Sequence, residues 1–439
     1  MLTISWYLKK SLTFMSKKIL ILYPHFPPSN LAGVHRPRLF AQHLPAFGWE
    51  PVILTVDEKY YEEAPDWNLV KLLPASLRIE KVNAIPLTKP RLVGDIGLRA
   101  FFQLYKKAKE IILKEDINFL YIPIPSFYTA LLGRWLHSST KIKYGIDYID
   151  PWVHEFPGSK KMFSRHWFSK KLSSVLEPIA VKKAALITGV AEGYYHAVLE
   201  RNPQIKLTAV CAAMPYGGEE RDHALLKQFD LKPYLFKKSS QFQLVYAGAM
   251  LPRAYVPLEA IFCSIGNNPD LFDHVEFHFI GTGKTANDAN GFTIKALAEQ
   301  YGLWQTVVFE YPERIPYLDV LVHLNHSDAV FILGSTEAHY TPSKTYQAVL
   351  SEKALFAVLH SNSTAVNVIR NANAGIVLAF EGEAGVPTIR DNFAILFQQF
   401  LEYSKNFNAA TVDKKIFEQY SAKMITAQLS ILLDKAMEI

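Results

Sequence analysis

Residues 17–55 read KKILILYPHFPPSNLAGVHRPRLFAQHLPAFGWEPVILT, and this segment alone predicts the fold class. After two lysines, residues 19–23 are apolar without alternation, which is typical of a strand buried on both faces. A proline-rich loop follows, then a helical pattern that ends at Gly48, then a second apolar strand at 51–55. A strand, a crossover helix and a second strand predict a parallel sheet with right-handed connections.

The same alternation of strands and helices recurs in two series along the chain. The first series has buried strands predicted at 118–122, 143–149, 186–190 and 207–211. The second has strands predicted at 243–250, 276–283, 307–310, 328–333, 354–359 and 375–380. We therefore predict an α/β protein with two doubly wound, Rossmann-like domains that face each other across a cleft. The predicted boundaries are a leader at 1–17, domains at 18–217 and 218–390, and C-terminal helices at 391–439.

Composition excludes several classes of protein. The chain has 439 residues, 49% of them hydrophobic and 20% charged, which is globular composition rather than collagen-like or disordered. Two cysteines, Cys211 and Cys263, exclude a disulfide scaffold and a Cys-rich zinc module. The net charge of +6 is concentrated in residues 1–18 and 158–183, so no general nucleic-acid footprint is expected.

The two basic segments each leave alternatives open. No apolar run reaches the length of a spanning helix, and the leader 1–17 lacks the features of a signal peptide. That leader is a disordered tail, an upstream-start artefact or an interfacial segment. The stretch 158–183 places Phe163, Trp167, Phe168 and Leu172 at near-helical spacing, with lysines mostly on the other face. It is either an amphipathic contact to anionic lipid at the inner membrane face of a cytoplasmic protein, or an ordinary core-facing helix.

Two loops after predicted strands carry the clearest local signals. Gly281 and Gly283 predict a tight turn, which either lets the backbone approach a ligand or is purely structural. A phosphate-binding P-loop is disfavoured, because His278 stands where its first glycine is required. At Thr341-Pro342-Ser343-Lys344, Thr341 suits a helix N-cap. A helix N-terminus with the Ser343 hydroxyl and the Lys344 charge suits an anion. The competing interpretation is an ordinary capped helix with a solvated lysine.

Seven segments, taken in order, resemble one enzyme family. They are FPPSNLAGVHRPRLFAQHLPAFGWEPVILT (26–55), IDYIDPW (146–152), VAEGYYHAVLERNP (190–203), MPYGGE (214–219), LVYAGAM (244–250), FHFIGTGK (277–284) and HYTPSKTYQAVLSEKALFAVLHSNS (339–363). The set resembles the GT-B glycosyltransferases of family 4. The resemblance implies two Rossmann-like domains and a final helix that crosses back to the first. It also implies a nucleotide-sugar donor on the second domain, an acceptor on the first, and retained anomeric configuration without a metal or other cofactor.

The resemblance assigns donor contacts to individual residues. Arg253 lies where the family places a basic pair, although Ala249 replaces an arginine that often follows the glycine there. Lys344 is the second cation for the diphosphate, and Gly33 lets the backbone of the first domain approach the donor. The sequence has no Asp-x-Asp motif, in agreement with a site that uses cations and helix N-termini in place of a metal.

One departure from the family affects the expected activity. The family commonly carries two glutamates separated by seven residues, and the matching positions here are His339 and Gln347. Gln347 keeps the ability to hydrogen-bond a ribose without the charge, and His339 suits a sugar hydroxyl or a phosphate. These residues indicate altered donor recognition, or else lost activity in a non-catalytic binding or assembly partner. A sugar epimerase on the same scaffold is a third alternative.

The acceptor side has several candidates in loops of the first domain. Asp150 follows a strand and suits orientation or deprotonation of an acceptor hydroxyl; alternatively, it caps the turn before Pro151. Further loop candidates are His25, Arg36 and His154. We therefore expect a metal-independent hexosyltransferase-like enzyme of polysaccharide biosynthesis. It would transfer a sugar from a nucleotide sugar to a glycan or lipid-linked glycan, with Asp150, His339 and Lys344 as catalytic candidates.

Overall fold

A computed structural model describes residues 16–88, 93–153, 162–285 and 287–439 of the 439-residue chain. The side chain of Arg165 is also outside the description. The predictions for leader residues 1–15, for His154 and for the start of the basic stretch therefore concern residues outside these ranges.

The first sheet is parallel and has the strand order β3-β2-β1-β4-β5-β6-β7. Its strands are β1 Lys17–Leu22, β2 Trp49–Val56, β3 Arg78–Val82, β4 Phe119–Ile124, β5 Lys143–Tyr148, β6 Leu186–Gly189 and β7 Val210–Ala213. Ile19 of β1 lies between Pro51 of β2 and Phe119 of β4. Because all strands run the same way, the loops that follow them gather at one edge of the sheet.

Helices cover both faces of this sheet, which explains why its central strands are predominantly apolar. They are α1 His35–His43, α2 Trp67–Val70, α3 Ile96–Arg99, α4 Phe101–Lys114, α5 Ala130–Thr140, α6 Arg165–Val181, α7 Glu192–Arg201 and α8 Ile205–Thr208. A short 3-10 turn extends α1 and ends at Gly48, whose positive φ of 79° reverses the chain as predicted. We call β1–β7 with these helices the first lobe.

The second sheet repeats the plan, with the order β10-β9-β8-β11-β12-β13. Its strands are β8 Phe242–Ala247, β9 Val275–Ile280, β10 Val308–Tyr311, β11 Ala329–Leu333, β12 Ala354–His360 and β13 Gly375–Phe380. The helices that follow the first lobe are α9 Glu220–Leu225, α10 Tyr255–Gly266, α11 Pro269–Phe272, α12 Lys295–Gln300, α13 Tyr317–His326, α14 Lys344–Leu350, α15 Thr364–Asn371, α16 Val386–Lys405, α17 Lys414–Glu418 and α18 Ala422–Glu438. We call β8–β13 with α10–α16 the second lobe.

The final helix α18 returns to the first lobe. Its apolar side packs under β1 and β4, with Leu429 and Leu433 fully buried there. Asp434 accepts hydrogen bonds from Lys17 (2.7 Å) and from the indole of Trp49 (3.1 Å). The chain crosses between the lobes where Gly218 bridges to Ser421.

Buried polar contacts also join the two lobes directly. Asp222 of α9 forms an ion pair with Arg38 of α1 at 2.6 Å, and Tyr317 of α13 donates to the same carboxylate at 2.8 Å. Asp66 accepts from the Tyr317 backbone amide at 2.7 Å. These contacts hold the strand-end edges of the two sheets toward one another across a cleft.

The structure corrects two local predictions and adds one strand that was not predicted. The strand predicted at 207–211 lies at Val210–Ala213, because the chain before it turns into α8. The segment 57–95 carries one further strand, β3, which sequence patterning missed because this edge strand is only partly buried. Thr341 does not cap α14: its hydroxyl bonds to Thr364 at 3.0 Å, and the helix begins at Lys344 with Ser343 as the N-cap residue.

No helix within the described ranges combines the length and the apolar character that a bilayer crossing requires.

Candidate functional site

The cleft between the two sheet edges contains a cavity of about 390 Å³. That volume is within the range of small-molecule binding sites. Seven residues predicted from the sequence line it: Gly33, Arg36, Asp150, Gly281, Ser343, Lys344 and Gln347. The described lining leaves out the other three, Arg253, Gly283 and His339. The cavity draws on both lobes, so a ligand inside it would contact both sheets.

Lys344 provides a buried cation at the start of α14. Its Nζ is sequestered from solvent and has no hydrogen-bond partner among the described residues. The ammonium lies 3.5 Å from the ring centroid of Tyr246 and packs against Gly248. A Cβ at position 248 would come within 2.8 Å of Nζ, and the φ of 139° there also favours glycine. Burial lowers the pKa of Lys344 to about 7.

Asp150 lines the same cavity from the first lobe, two residues after the end of β5. Its side chain reaches the water of the cleft, and the protein atoms of both lobes around it limit how fully water can hydrate the carboxylate. This partial loss of hydration and the negative charge of Glu337 raise its pKa to about 7. A carboxyl group with this pKa is present in both protonation states near neutral pH. Such a pKa suits a group that orients a hydroxyl or accepts its proton.

Tyrosine side chains surround Asp150. Tyr194 and Tyr340 line the same cavity, and Tyr23 lines an adjoining recess. Burial, reinforced by the charge of Asp150, raises the pKa of each of these phenols, so they stay protonated and can donate. Phenol hydroxyls with apolar ring faces suit a ligand that has hydroxyl groups on a carbon frame.

Arg36 lines the cavity but is engaged with the protein. Its Nε and Nη2 donate to the Asp147 carboxylate at 2.6 and 3.1 Å, and its Nη1 donates to the Pro215 carbonyl at 3.0 Å. Both side chains of the ion pair are buried. Three of the five N–H groups of its guanidinium therefore already have acceptors within the protein, and the role of Arg36 as a substrate contact stays a prediction.

His339 and Gln347 also have partners within the protein. The His339 ring packs edge-on against Tyr194 at 5.2 Å, and its Cβ lies against Gly193 of the first lobe. Gln347 lines the cavity, and its Oε1 accepts from His223 Nε2 at 2.9 Å. The structure therefore places His339 at the contact between lobes, with Gln347 held by a neighbour at the cavity wall.

The glycines predicted near the ligand divide into two kinds. Gly281 lines the cavity with a φ of 72°, so the turn after β9 requires glycine there. Gly33 lines it too, where a side chain would collide with the Tyr23 hydroxyl. Gly283 packs on the protein instead: a Cβ would lie 2.7 Å from the Pro312 carbonyl oxygen. Its close approach is to a loop of the second lobe and not to the cavity.

Charged residues that the sequence reasoning missed lie around the same site. Glu337 precedes His339 by two residues and its Oε1 lies 3.9 Å from Nε of Arg253, which is half-exposed. Arg314 lines the cavity, and its Nη1 is buried without a hydrogen-bond partner among the described residues. The sequence could have indicated both residues through their positions, because each lies in a loop that follows a strand of the second sheet.

A second recess of about 340 Å³ adjoins the cavity at Gly33 and Asp150 and lies entirely in the first lobe. His25, predicted as a loop candidate, lines it and shares a hydrogen bond with Glu63 at 3.0 Å. Although burial opposes ionisation, hydrogen bonds from His25 and Ser29 hold the pKa of Glu63 at about 2. The recess thus presents a fixed carboxylate beside the titrating carboxyl group of Asp150.

Solved structures share the fold of two parallel Rossmann-like sheets. A sucrose-phosphate synthase from Thermosynechococcus elongatus superposes with a TM-score of 0.64 at 13% identity, covering 95% of this chain and 98% of its own. HepE from Anabaena, in complex with UDP and glucose, gives 0.61 at 14% identity, with 95% and 99% covered. A glycosyltransferase from Rickettsia africae gives 0.60 at 14%, with 96% and 99% covered.

The chain has the GT-B fold. The two parallel Rossmann-like sheets and the likeness over nearly the whole length of these structures confirm the predicted fold class. At such low identity the likeness shows the fold alone. The sequence itself matches no protein-family model and no curated protein. Among the described residues, no group of three or more His, Cys, Asp or Glu side chains is placed to hold a metal ion.

Proposed function

We propose that the protein is a glycosyltransferase that moves a sugar from a nucleotide-sugar donor to a hydroxyl of a glycan or lipid-linked glycan. The observation that carries the proposal is the buried ammonium of Lys344 in the wall of the cavity between the lobes, which has no hydrogen-bond partner in the parts of the chain that the structure describes. A buried cation without a partner is costly to keep, and an anionic ligand removes that cost. A diphosphate is the anion that this fold suggests.

The second lobe would hold the donor. Lys344 contacts the diphosphate, with Ser343 beside it and Arg253 and Arg314 as further cations at the cavity or its rim. Cations fixed where negative charge develops on the leaving diphosphate stabilise the transition state for its departure. The helix dipole of α14 adds little, because the helix has only seven residues. HepE, which shares the fold, binds UDP and glucose, so UDP-sugars are the first donors to test.

The first lobe would hold the acceptor. Its recess meets the cavity at Asp150, and the Asp150 carboxylate orients the acceptor hydroxyl toward the anomeric carbon. The bond from that carbon to the diphosphate oxygen breaks as the bond to the acceptor oxygen forms. The leaving phosphate oxygen takes the acceptor proton, so the sugar keeps its anomeric configuration without a protein nucleophile. We assign acceptor binding to residues 18–217 and donor binding to 218–390.

The direct test is turnover of a panel of nucleotide sugars, compared between the wild type and Lys344→Ala. We expect the variant to lose at least 100-fold in kcat/KM, since one charge-assisted contact in a dry site contributes about 3 kcal/mol. Lys405→Ala is the matched control, because Lys405 is an exposed lysine of the same lobe. Unchanged turnover in Lys344→Ala would refute the anion site.

A non-catalytic nucleotide-sugar-binding partner is the second candidate, favoured by the engagement of His339 and Gln347 with protein neighbours. Calorimetric titration with UDP, GDP and their sugars separates the candidates. Binding without transfer to any acceptor would favour the partner role, and product analysis without an acceptor would reveal an epimerase.

A further inference from the structure

Helix α6, Arg165–Val181, turns an apolar stripe toward solvent. Phe168, Leu172, Val175 and Ile179 are separated by four, three and four residues, which places them along one side of the helix. All four are exposed, Val175 by 62% and Phe168 by 55%. Their exposure is inverted relative to an ordinary surface helix, in which the apolar stripe faces the core.

The opposite side of α6 is the one that packs on the protein, and it is partly polar. Ser173 and Glu177 are buried there, and Glu177 pairs with Arg201 at 2.6 Å. Tyr144 of β5 donates to the carbonyl of Ala180 at 2.6 Å. Because these contacts fix the helix with Glu177 inward, the exposure of the apolar stripe follows from the packing of the first lobe.

An aromatic cluster extends the stripe at the N-terminal end of the helix. The rings of Phe163 and Trp167 lie 5.6 Å apart, and those of Trp167 and Phe168 lie 5.0 Å apart. Phe163 and its neighbour Met162 are both exposed. Trp and Phe are the side chains that settle at the boundary between lipid headgroups and acyl chains.

The exposed charges described within residues 162–183 have a single sign. Lys171 is exposed on α6, and Lys182 and Lys183 are exposed directly after its last residue. The only acid in residues 162–183 is Glu177, which is buried and paired. This surface therefore presents positive charge and apolar side chains together, a combination that complements anionic lipid. A second copy of the chain would bring lysines against lysines and is disfavoured by the same charge.

We propose that residues 162–183 dock the protein on the surface of an anionic lipid bilayer. The stripe Phe168, Leu172, Val175 and Ile179 enters the interfacial region, while the lysines contact the headgroups. The proposal is independent of the function proposed above. Docking would hold the first lobe, which carries the recess beside Asp150, against the membrane.

Flotation of the full chain with vesicles tests this surface. We expect binding to vesicles of phosphatidylglycerol and phosphatidylcholine, weak binding to phosphatidylcholine alone, and loss of binding in the double variant Leu172→Glu/Val175→Glu. Both positions are exposed, so the variant should fold, which circular dichroism checks. Leu207→Glu is the matched control, since Leu207 is an apolar residue of the same lobe with 89% exposure. Every variant keeps residues 1–17, so the leader contributes equally to each.

Neutralising the lysines tests the electrostatic part separately. Lys171→Gln/Lys182→Gln/Lys183→Gln should reduce the partition coefficient on the anionic vesicles by roughly 100-fold and leave that on neutral vesicles unchanged. The proposal is overturned if the wild type ignores anionic vesicles, or if both multiple variants bind like the wild type. A dimer that Leu172→Glu/Val175→Glu abolishes, without vesicle binding by the wild type, would also overturn it and assign the stripe to self-association.

Discussion

Arg36 and Lys344 are both buried cations in the wall of one cavity, and they differ in whether the protein neutralises them. Arg36 forms a two-pronged ion pair with Asp147, whose charge and hydrogen bonds overcome the effect of burial and raise the pKa of Arg36. Within the described part of the chain, no hydrogen-bond acceptor reaches the Lys344 ammonium, which lies against the ring of Tyr246, and burial lowers its pKa to about 7. A cation that already has its carboxylate supports the fold, whereas one without a partner is available to a ligand.

The largest expected change in stability comes from breaking the ion pair between Arg36 and Asp147. Arg36→Met leaves Asp147 buried with Thr188 as its remaining hydrogen-bond donor, so the free energy of unfolding should fall by about 3–5 kcal/mol. Urea denaturation measures this. The double variant Arg36→Met/Asp147→Leu should recover most of the loss. A variant with unchanged stability that binds nucleotide sugars weakly would instead make Arg36 a ligand contact.

Removing the charge of Lys344 should raise the free energy of unfolding, whereas removing that of Arg36 should lower it. Because the folded pKa of Lys344 lies below its value of 10.5 in an unfolded chain, the unfolded state holds the proton more tightly, and the ligand-free protein loses stability below about pH 10. Lys344→Met should stabilise it by up to about 4 kcal/mol at pH 7. Denaturation at pH 7 and pH 10 checks this, since the gain should shrink at the higher pH. Destabilisation by this variant would contradict the unpaired state of Lys344.

The fold could be predicted because the central strands are predominantly apolar and a helical pattern follows most of them along the chain. The strand predictions that were wrong or missing lie where the difference between buried apolar strands and their surroundings is small. The edge strand β3 is partly buried and polar, and the segment before β7 carries Ile205, whose burial the helix α8 satisfies as well as a strand would. Intrinsic secondary-structure propensity does not determine whether such segments form a strand or a helix, because tertiary packing determines it.

The site was predictable only in its position. Loops after parallel strands gather at one edge, so Asp150, Gly281 and Lys344 could be expected in one cleft. The sequence did not reveal that Asp147 lies within reach of Arg36, since the two are far apart along the chain. Neither could it reveal that Lys344 lacks a partner. Pairing depends on which side chains the fold brings together, and no local pattern records that.

The smallest predicted effect is a pH dependence of donor binding, which tests whether Lys344, unlike Arg36, is available to a ligand. UDP-glucose is a suitable probe, because its diphosphate does not titrate between pH 6 and 9. Below pH 7 Lys344 is charged and affinity should be constant; above pH 7 the free protein must first take up a proton, so affinity should fall about tenfold per pH unit. Lys344→Met should bind weakly at every pH, without this slope.

Asp150 is the neighbour that could imitate this slope. Its pKa is also raised to about 7, so its ionisation adds negative charge to the cavity over the same range. Asp150→Asn removes that contribution and should leave the wild-type slope in place. A slope that disappears in Asp150→Asn and persists in Lys344→Met would assign the titration to the carboxyl group. Lys344 would then be no more available to a ligand than Arg36, and the distinction between the two cations would fail.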